Sequence, residues 1–292
     1  MTCMVEIKNL RKEYKGFTLE DISLDVPAGS IVGLIGPNGA GKTTTIRILM
    51  GMVKPKSGEI KIFGLDHREN LKEIKNRVGY VGEDHHFYGD KTVAWTGKFV
   101  SGFYREWNIN LYQSLLTEFS ISRTKKTKEL SKGMKVKLSL AIAFGHNPEL
   151  MVLDEPTAGL DPIIRRELLE ILRTFPENGD KSVLISSHIT DDIARIADYV
   201  AFLVEGKLAL SEAKDELLAR WKRIHYKKGV LGDSIIQTLT LRKDHMFGSS
   251  GVTDDFPGLR EALSEGMAKE EIKVENVDLD EILISLVKGE AQ

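Results

Sequence analysis

The sequence predicts an α/β fold built on a mixed sheet, with an N-terminal antiparallel β part, a helical insertion and a small C-terminal α+β extension. Three observations carry this. SIVGLI, residues 30–35, is a nearly continuous apolar run that leads through a glycine-rich loop into a segment where Ile46, Leu49 and Met50 recur at helical spacing. Two further apolar runs with polar ends, ELMVLD (149–154) and KSVLISS (181–187), read as buried strands with a helix between them. Upstream, VEIKNL and TLEDISLDV alternate apolar and polar positions, as half-buried strands do.

Taken in order, residues 1–210 are expected to form the main domain and residues 211–292 a small accessory one. The helix after the glycine-rich loop runs over 42–51. Between about residues 84 and 145 the texture becomes helical: Trp95, Phe99, Phe103, Tyr104, Leu111, Leu115, Leu116 and Phe119 recur at helical intervals and are expected as core. The basic run RTKKTK, 123–128, is read as a solvated connector. Asp161 caps the next helix, Pro162 fits its first turn, Ile164, Leu168, Ile171, Leu172 and Phe175 line one face, and Pro176 with Asn178-Gly179 ends it. A short helix over 191–197 leads into YVAFLVEGKLAL, a hairpin turning at Glu205-Gly206. Beyond residue 211, EAKDELLARW reads as helix, TLTLRK as strand, FGSSG as loop, and DLDEILISLVKG as a last helix capped by Asp278 and stopped at Gly289.

Composition narrows the function classes. With 41 Lys plus Arg against 43 Asp plus Glu, no whole-molecule field recruits nucleic acid or an anionic membrane. Cys3 is the only cysteine, which excludes an internal disulfide and any multi-cysteine metal site and fits a reducing compartment. The first residues lack a signal peptide's apolar core and no window approaches a membrane span, so a cytoplasmic location is expected.

The chemistry concentrates in three places. GPNGAGKTT, residues 36–44, follows a buried strand and opens a helix, the context in which the G-x-x-x-x-G-K-T spacing acquires meaning. Gly36, Pro37, Asn38, Gly39, Ala40 and Gly41 form a loop whose N–H groups can turn inward onto an anion in line with the helix dipole. Lys42 would reach β- and γ-phosphates, Thr43 would place its hydroxyl on Mg²⁺, and Thr44 would bond another phosphate oxygen. Asp154 ends an apolar strand, where a carboxylate is costly unless it meets a cation, and the Mg²⁺ on Thr43 is the natural one. Glu155, one residue on, points elsewhere and is positioned to take a proton from an attacking water. His188, after the neighbouring strand, would bring an imidazole beside the γ-phosphate. His85 and His86 are adjacent in sequence and are not read as a metal pair.

ELSKGMKVKLSL, residues 129–140, raises a separate question. Ser131 is a plausible N-cap, but Lys132 opposes the positive end of the helix dipole and Gly133 weakens the first turn. An anion at that helix end would favour both.

These motifs, in this order, resemble the ATP-binding cassette (ABC) ATPases, the nucleotide-binding subunits of ABC transporters, over about residues 4–210: GPNGAGKT, the signature segment LSKGM, LMVLDEPT, the loop AGLD, and His188. The resemblance implies a P-loop NTPase core, ATP and Mg²⁺ as ligands, and a second cassette, identical or homologous, arranged head to tail with this one. Ser131 and Gly133 would then hold the γ-phosphate of ATP bound on the opposite protomer, and loss of that bridging charge on hydrolysis would loosen the sandwich. Tyr14 looks like the aromatic that stacks on adenine, Glu155 like the general base, and Asp161 like a contact to the opposite site. The helical insertion would face a separate transmembrane permease subunit, holding the chain at the inner face of the cell membrane. No nucleic acid partner is expected.

Two positions depart from the family pattern. LSKGM stands where LSGGQ is usual, so Met134 cannot supply the polar amide, and Glu83 stands where a glutamine usually binds Mg²⁺ and the attacking water. A carboxylate ligates magnesium more strongly but repels a phosphate when the metal is absent. The segment VGYVGEDHHFYGDKTV and the short tail look closest to cassettes of bacterial antibiotic- or peptide-export systems. The rivals are a soluble ABC ATPase acting on nucleic acid or ribosomes and a nucleotide-bound regulator of negligible turnover. The first is disfavoured because about 90 residues between phosphate loop and signature leave no room for a coiled coil, and because there is one cassette in the chain.

Overall fold

The alternating N-terminal segments form a long hairpin, β1 (Cys3–Tyr14) and β2 (Phe17–Pro27), paired antiparallel from Val5↔Val26 to Tyr14↔Phe17. In the computed structural model, which describes residues 3–176, 179–246 and 248–289, β3 (Ile31–Ile35) follows and is buried at all five positions. Continuous burial explains the unbroken apolar run, since both faces of a central parallel strand are covered. α1 (Lys42–Leu49) opens directly after the glycine-rich loop. β4 (Ser57–Ile62) and β5 (Leu65–Asp66) complete an antiparallel sheet of order β2-β1-β4-β5. α1 lies against this sheet and against the parallel one: Ile46, Ile48 and Leu49 belong to the same apolar cluster as Ile7, Leu10 and Ile22 on one side and Val32 and Leu34 on the other.

After α2 (Leu71–Arg77) comes β6 (Val78–Val81), and then the helical segment: α3 (Val93–Ser101), α4 (Ile109–Glu118) and α5 (Lys132–Phe144). Thr92, Asn108 and Ser131 cap these three helices, each accepting from a backbone N–H three residues on. The expectation that the aromatic stripe is core holds only in part. Tyr112, Leu116 and Phe119 are buried, but Phe99 is 41% and Phe103 69% exposed. The reason lies in α3, which turns Val93, Thr96 and Gly97 inward. Its other side presents Trp95 stacked on Phe99 at 5.0 Å, with Tyr88 edge-on to both at 5.7 Å.

The main sheet then closes. β7 (Leu150–Asp154), α6 (Pro162–Thr174), β8 (Ser182–Ser187), α7 (Thr190–Ile196), β9 (Tyr199–Val204) and β10 (Lys207–Ala213) give the order β10-β9-β3-β8-β7-β6. The pairs β6–β7, β7–β8, β8–β3 and β3–β9 are parallel, so the carboxyl ends of β3, β7 and β8 lie side by side. Asp161 caps α6 by accepting from Ile163 N and Ile164 N, both at 3.1 Å, with Pro162 in the first turn. Asn178, expected to help end α6, lies outside the described residues. Glu205 and Gly206 both take positive φ, 46° and 82°, the type I′ geometry of a two-residue hairpin.

The chain divides into two compact units, Met1–Ser211 and Glu212–Gln292. The second contains α8 (Lys214–Arg220), β11 (Lys222–Tyr226), α9 (Asp233–Thr238), β12 (Thr240–His245), β13 (Gly248–Thr253), α10 (Phe256–Ala268), β14 (Ile272–Asn276) and α11 (Leu279–Gly289). Its sheet, β12-β13-β11-β14, is antiparallel throughout, and β11 to β14 follow the split βαββαβ order of ferredoxin-like folds. FGSSG, expected as loop, is corrected here: Phe247 lies outside the described residues, and Gly248 to Ser250 begin β13, an inner strand whose small residues are buried between two neighbours. Asp278 caps α11, accepting from Glu281 N at 2.8 Å. Among the described residues no helix is long and apolar enough to cross a membrane.

Candidate active site

The loop 36–41 joins β3 to α1 and closes on α1 through Gly41 at φ 111°, a conformation that side chains rarely adopt. Lys42 is the first helical residue, and its side chain turns back into the loop it follows. Its Nζ donates to Gly36 O at 2.7 Å and to Pro37 O at 3.2 Å, leaving the residue only 5% exposed. Lys42 thereby ties the end of the loop back to its start.

Thr43 Oγ1 donates to Asp154 Oδ1 at 3.1 Å, tying α1 to the end of β7. Asp154 is buried, and burial pushes its carboxyl up from the usual range, while hydrogen bonds from Ser186 and Thr43 pull it back. The Ser186 hydroxyl donates to Asp154 Oδ1 at 2.7 Å and accepts from Glu155 N at 3.0 Å. One hydroxyl at the end of β8 thus fixes both acidic residues. Sequence reasoning passed over Ser186, although a serine beside a buried strand end carries that signal, since it must find a polar partner.

Glu155 leaves the strand at φ 49°, which separates its side chain from that of Asp154. Its Oε1 stands 3.1 Å from Lys42 Nζ, an ion pair without hydrogen-bond alignment, and both side chains are buried. Its Oε2 accepts from His188 Nδ1 at 2.7 Å and from His188 N at 3.2 Å. Lys42, Glu155 and His188 are thereby linked in one chain across three elements.

These groups open onto a cleft of about 570 Å³ lined by Asn38, Gly39, Gly41, Lys42, Thr43 and Thr44 of the loop and helix, by Glu83, Glu155 and His188, and by Phe17. An adjoining cleft of about 460 Å³ is walled by Phe17, Gly16 and Thr18 on one side and by Pro37 to Ala40 on the other. Tyr14, expected as the stacking aromatic, lines neither. Alternation along β1 sets it on the same side as Lys12, whose Nζ lies 5.2 Å from its ring centroid, and it is 45% exposed. Phe17, its partner across the hairpin, supplies the aromatic wall instead.

Ser131 and Gly133 also stay outside the cleft. Ser131 Oγ accepts from Met134 N at 3.3 Å as N-cap of α5. Gly133 is buried against α6, where a Cβ would stand 2.5 Å from Ile164 Cδ1, so packing within the chain accounts for the glycine without a ligand. Lys132 extends toward the AGLD loop, its Nζ 2.8 Å from where a Cβ on Gly159 would be.

Comparison with known proteins bears on the whole arrangement. Residues 19–158 match the family described as ABC transporter. The bacitracin transport ATP-binding protein BcrA of Bacillus licheniformis is 36% identical over 226 residues, 75% of this chain and 73% of that protein. This chain belongs to the ATP-binding cassette family. The lantibiotic transport ATP-binding protein SrtF of Streptococcus pyogenes is 36% identical over 215 residues, covering 73% of this chain and 92% of its own. A solved ATP-binding subunit of an ABC transporter superposes with TM-score 0.68 at 30% identity over 74% of this chain and 92% of that one. A dimeric cassette, MJ0796, bound to ADP and Pi shares the fold at TM-score 0.65 and 24% identity, over 72% of this chain and 98% of that one. The cassette is an ATPase that binds ATP.

Proposed function

We propose that this cassette is the ATP-hydrolysing subunit of an exporter of peptide-like antibiotics, working on a separate membrane permease through ATP-dependent pairing of two cassettes. The observation that carries the reading is the chain Lys42–Glu155–His188, which with Thr43 lines one cleft beside the glycine-rich loop, and the buried Asp154 that Thr43 holds behind it. The loop N–H groups and the Lys42 ammonium bind the phosphates. Thr43, Asp154 and Glu83 offer hydroxyl and carboxylate oxygens, the hard donors that suit magnesium, and the upward push on the Asp154 carboxyl is what a nearby cation would relieve. Bound there, Mg²⁺ would neutralise charge on the β- and γ-phosphates.

Glu155 takes a proton from the attacking water, and His188 orients the Glu155 carboxylate through Nδ1. Ser131 and Gly133 serve the opposite protomer's ATP. The subfamily rests on relatives named for bacitracin and lantibiotic transport. The aromatic ladder of exposed Tyr88, Phe99 and Phe103 with half-buried Trp95 suits the permease contact, because aromatic residues are enriched at interfaces. That contact would hold the chain on the inner face of the membrane.

Two measurements test this. Glu155→Gln should slow phosphate release by about 10²–10⁴-fold, the range for loss of a general base, and should accumulate a Mg-ATP-bound dimer. A variant hydrolysing at the wild-type rate removes Glu155 from the chemistry. Tagged chain purified from membranes should bring a multi-span protein with it; recovery of ribosomes or DNA instead would replace transport with a soluble role.

A further inference from the structure

The segment that carries His188 to the cleft is short and lightly held. His188 follows the end of β8 with its side chain 41% exposed, so packing fixes little of it. Two residues on, α7 begins; it is only two turns long, and its N-cap, Ile189, offers no side-chain oxygen to the first turn. What seats α7 is its third and fourth residues. Ile193 lies on β3, where a Cβ on Gly33 would stand 2.1 Å from its Cγ2. Asp192, 1% exposed, accepts from Arg165 Nε at 2.6 Å. Its other oxygen, Oδ2, has no hydrogen-bond partner among the described residues, so this buried carboxylate depends on Arg165.

Arg165 stands at the first turn of α6, its N–H bonded to the carbonyl of Asp161, the N-cap. The ion pair therefore closes a ring. From Glu155 the chain runs ten residues to Arg165, and from His188 it runs four to Asp192. Glu155 and His188 meet at one junction through Oε2 and Nδ1, and Arg165 and Asp192 meet at the other. A buried ion pair gains little net stability over an apolar pair of similar volume. What this one adds is register, because a 2.6 Å hydrogen bond fixes where α7 starts relative to α6.

We infer that Arg165 and Asp192 are positioning residues for ATP hydrolysis, holding α7 in the register that keeps His188 on Glu155. The inference rests on the reading of His188 as the group that orients the base. Neither residue lines the cleft, so both act through the histidine.

Removing the arginine alone strands a buried carboxylate, so the test replaces both partners: Arg165→Met with Asp192→Leu fills the space without charge. The full chain carrying this apolar pair should unfold in urea at or above the wild-type midpoint, with its KM for ATP within about 2-fold of wild type. Phosphate release at saturating Mg-ATP should fall by about 10-fold or more, toward the ~10²-fold that a small misplacement of a reacting group costs. In a His188→Ala background the same replacement should cost no more than about 2-fold, since effects that run through one group do not add. The imidazole Cε1–H resonance of His188 should move in the apolar pair, while that of His67, bonded to Leu49 O at the end of α1, stays in place. Wild-type turnover in the apolar pair, a fall in its urea midpoint, or an equal loss of turnover in both backgrounds overturns the inference. His188→Ala turning over at the wild-type rate would overturn the reading of His188 instead, and an unmoved His188 resonance would then overturn the positioning as well.

Discussion

Gly133→Ala separates two explanations of the same glycine. The new Cβ would meet Ile164 Cδ1 at 2.5 Å, with Ile164 Cγ2 at 3.4 Å and Cγ1 at 3.7 Å behind it. Overpacking of this kind costs about 1–3 kcal/mol, offset by about 1 kcal/mol from alanine's better helix propensity, so the net loss should be about 0–2 kcal/mol. Ile164→Val removes the clashing Cδ1 and leaves only contacts of ordinary length. On its own Ile→Val costs about 0.5–1.5 kcal/mol, toward the lower figure here because Ile164 is half-buried. The pair should show a coupling energy of about 1 kcal/mol, as contacting residues do, so the double variant should unfold in urea close to the wild-type midpoint. Phosphate release is the discriminating assay. If a neighbour's γ-phosphate must approach Gly133, turnover in the double variant stays at least about 10-fold down, a barrier of about 1.4 kcal/mol, although stability has recovered. Recovery of turnover together with stability would refute the trans role of Gly133 and leave it a packing residue.

Three further outcomes are expected. Phe17→Ala should weaken ATP binding by about 1–3 kcal/mol, the worth of one aromatic stacked on a base, while Tyr14→Ala changes affinity little; titration with a fluorescent ATP analogue checks both, and the reverse ranking would return the stacking role to Tyr14. Glu83→Gln should keep its nucleotide affinity while requiring more magnesium for half-maximal turnover, so loss of ATP binding would remove Glu83 from the metal shell. Burial holds His67 and His146 below the usual histidine range, so the unfolded chain binds protons first on acidification and stability is lost as pH falls through the unfolded value. The thermal midpoint should therefore drop between about pH 7 and pH 5, and less steeply in His67→Gln and His146→Gln; equal slopes in all three proteins would show that other groups set the acid limit.

Much of the nucleotide-binding half is legible in sequence because its signals are local. A buried strand, a glycine-rich loop and a helix occur in one run, and Glu205-Gly206 spells a two-residue turn directly. Side-chain direction is less legible. The helical spacing of Trp95 and Phe99 marks a common face, but nothing in it says that α3 turns Val93 and Thr96 inward and that face outward. Tyr14 and Phe17 are both aromatic and three residues apart, and the register of a hairpin not yet folded decides which one reaches the cleft. In the second unit, Ile224 with Tyr226 and Ile272 with Val274 carry the alternation of β11 and β14, a signal too short to stand out. β13 has hardly any, because Ser249, Ser250 and Gly251 are buried by being small rather than apolar.

The tip of the β9–β10 hairpin reaches well beyond its own turn. Gly206 donates to Ala40 O at 3.1 Å and accepts from Glu20 N at 2.8 Å, and a Cβ there would fall 1.9 Å from Thr18 O. The peptide groups of this one residue rivet the floor of the phosphate cradle to the N-terminal sheet. A substitution at position 206, remote in sequence from every nucleotide motif, would prise that joint apart, and its signature would be a cassette that still folds its parallel sheet yet grips ATP loosely.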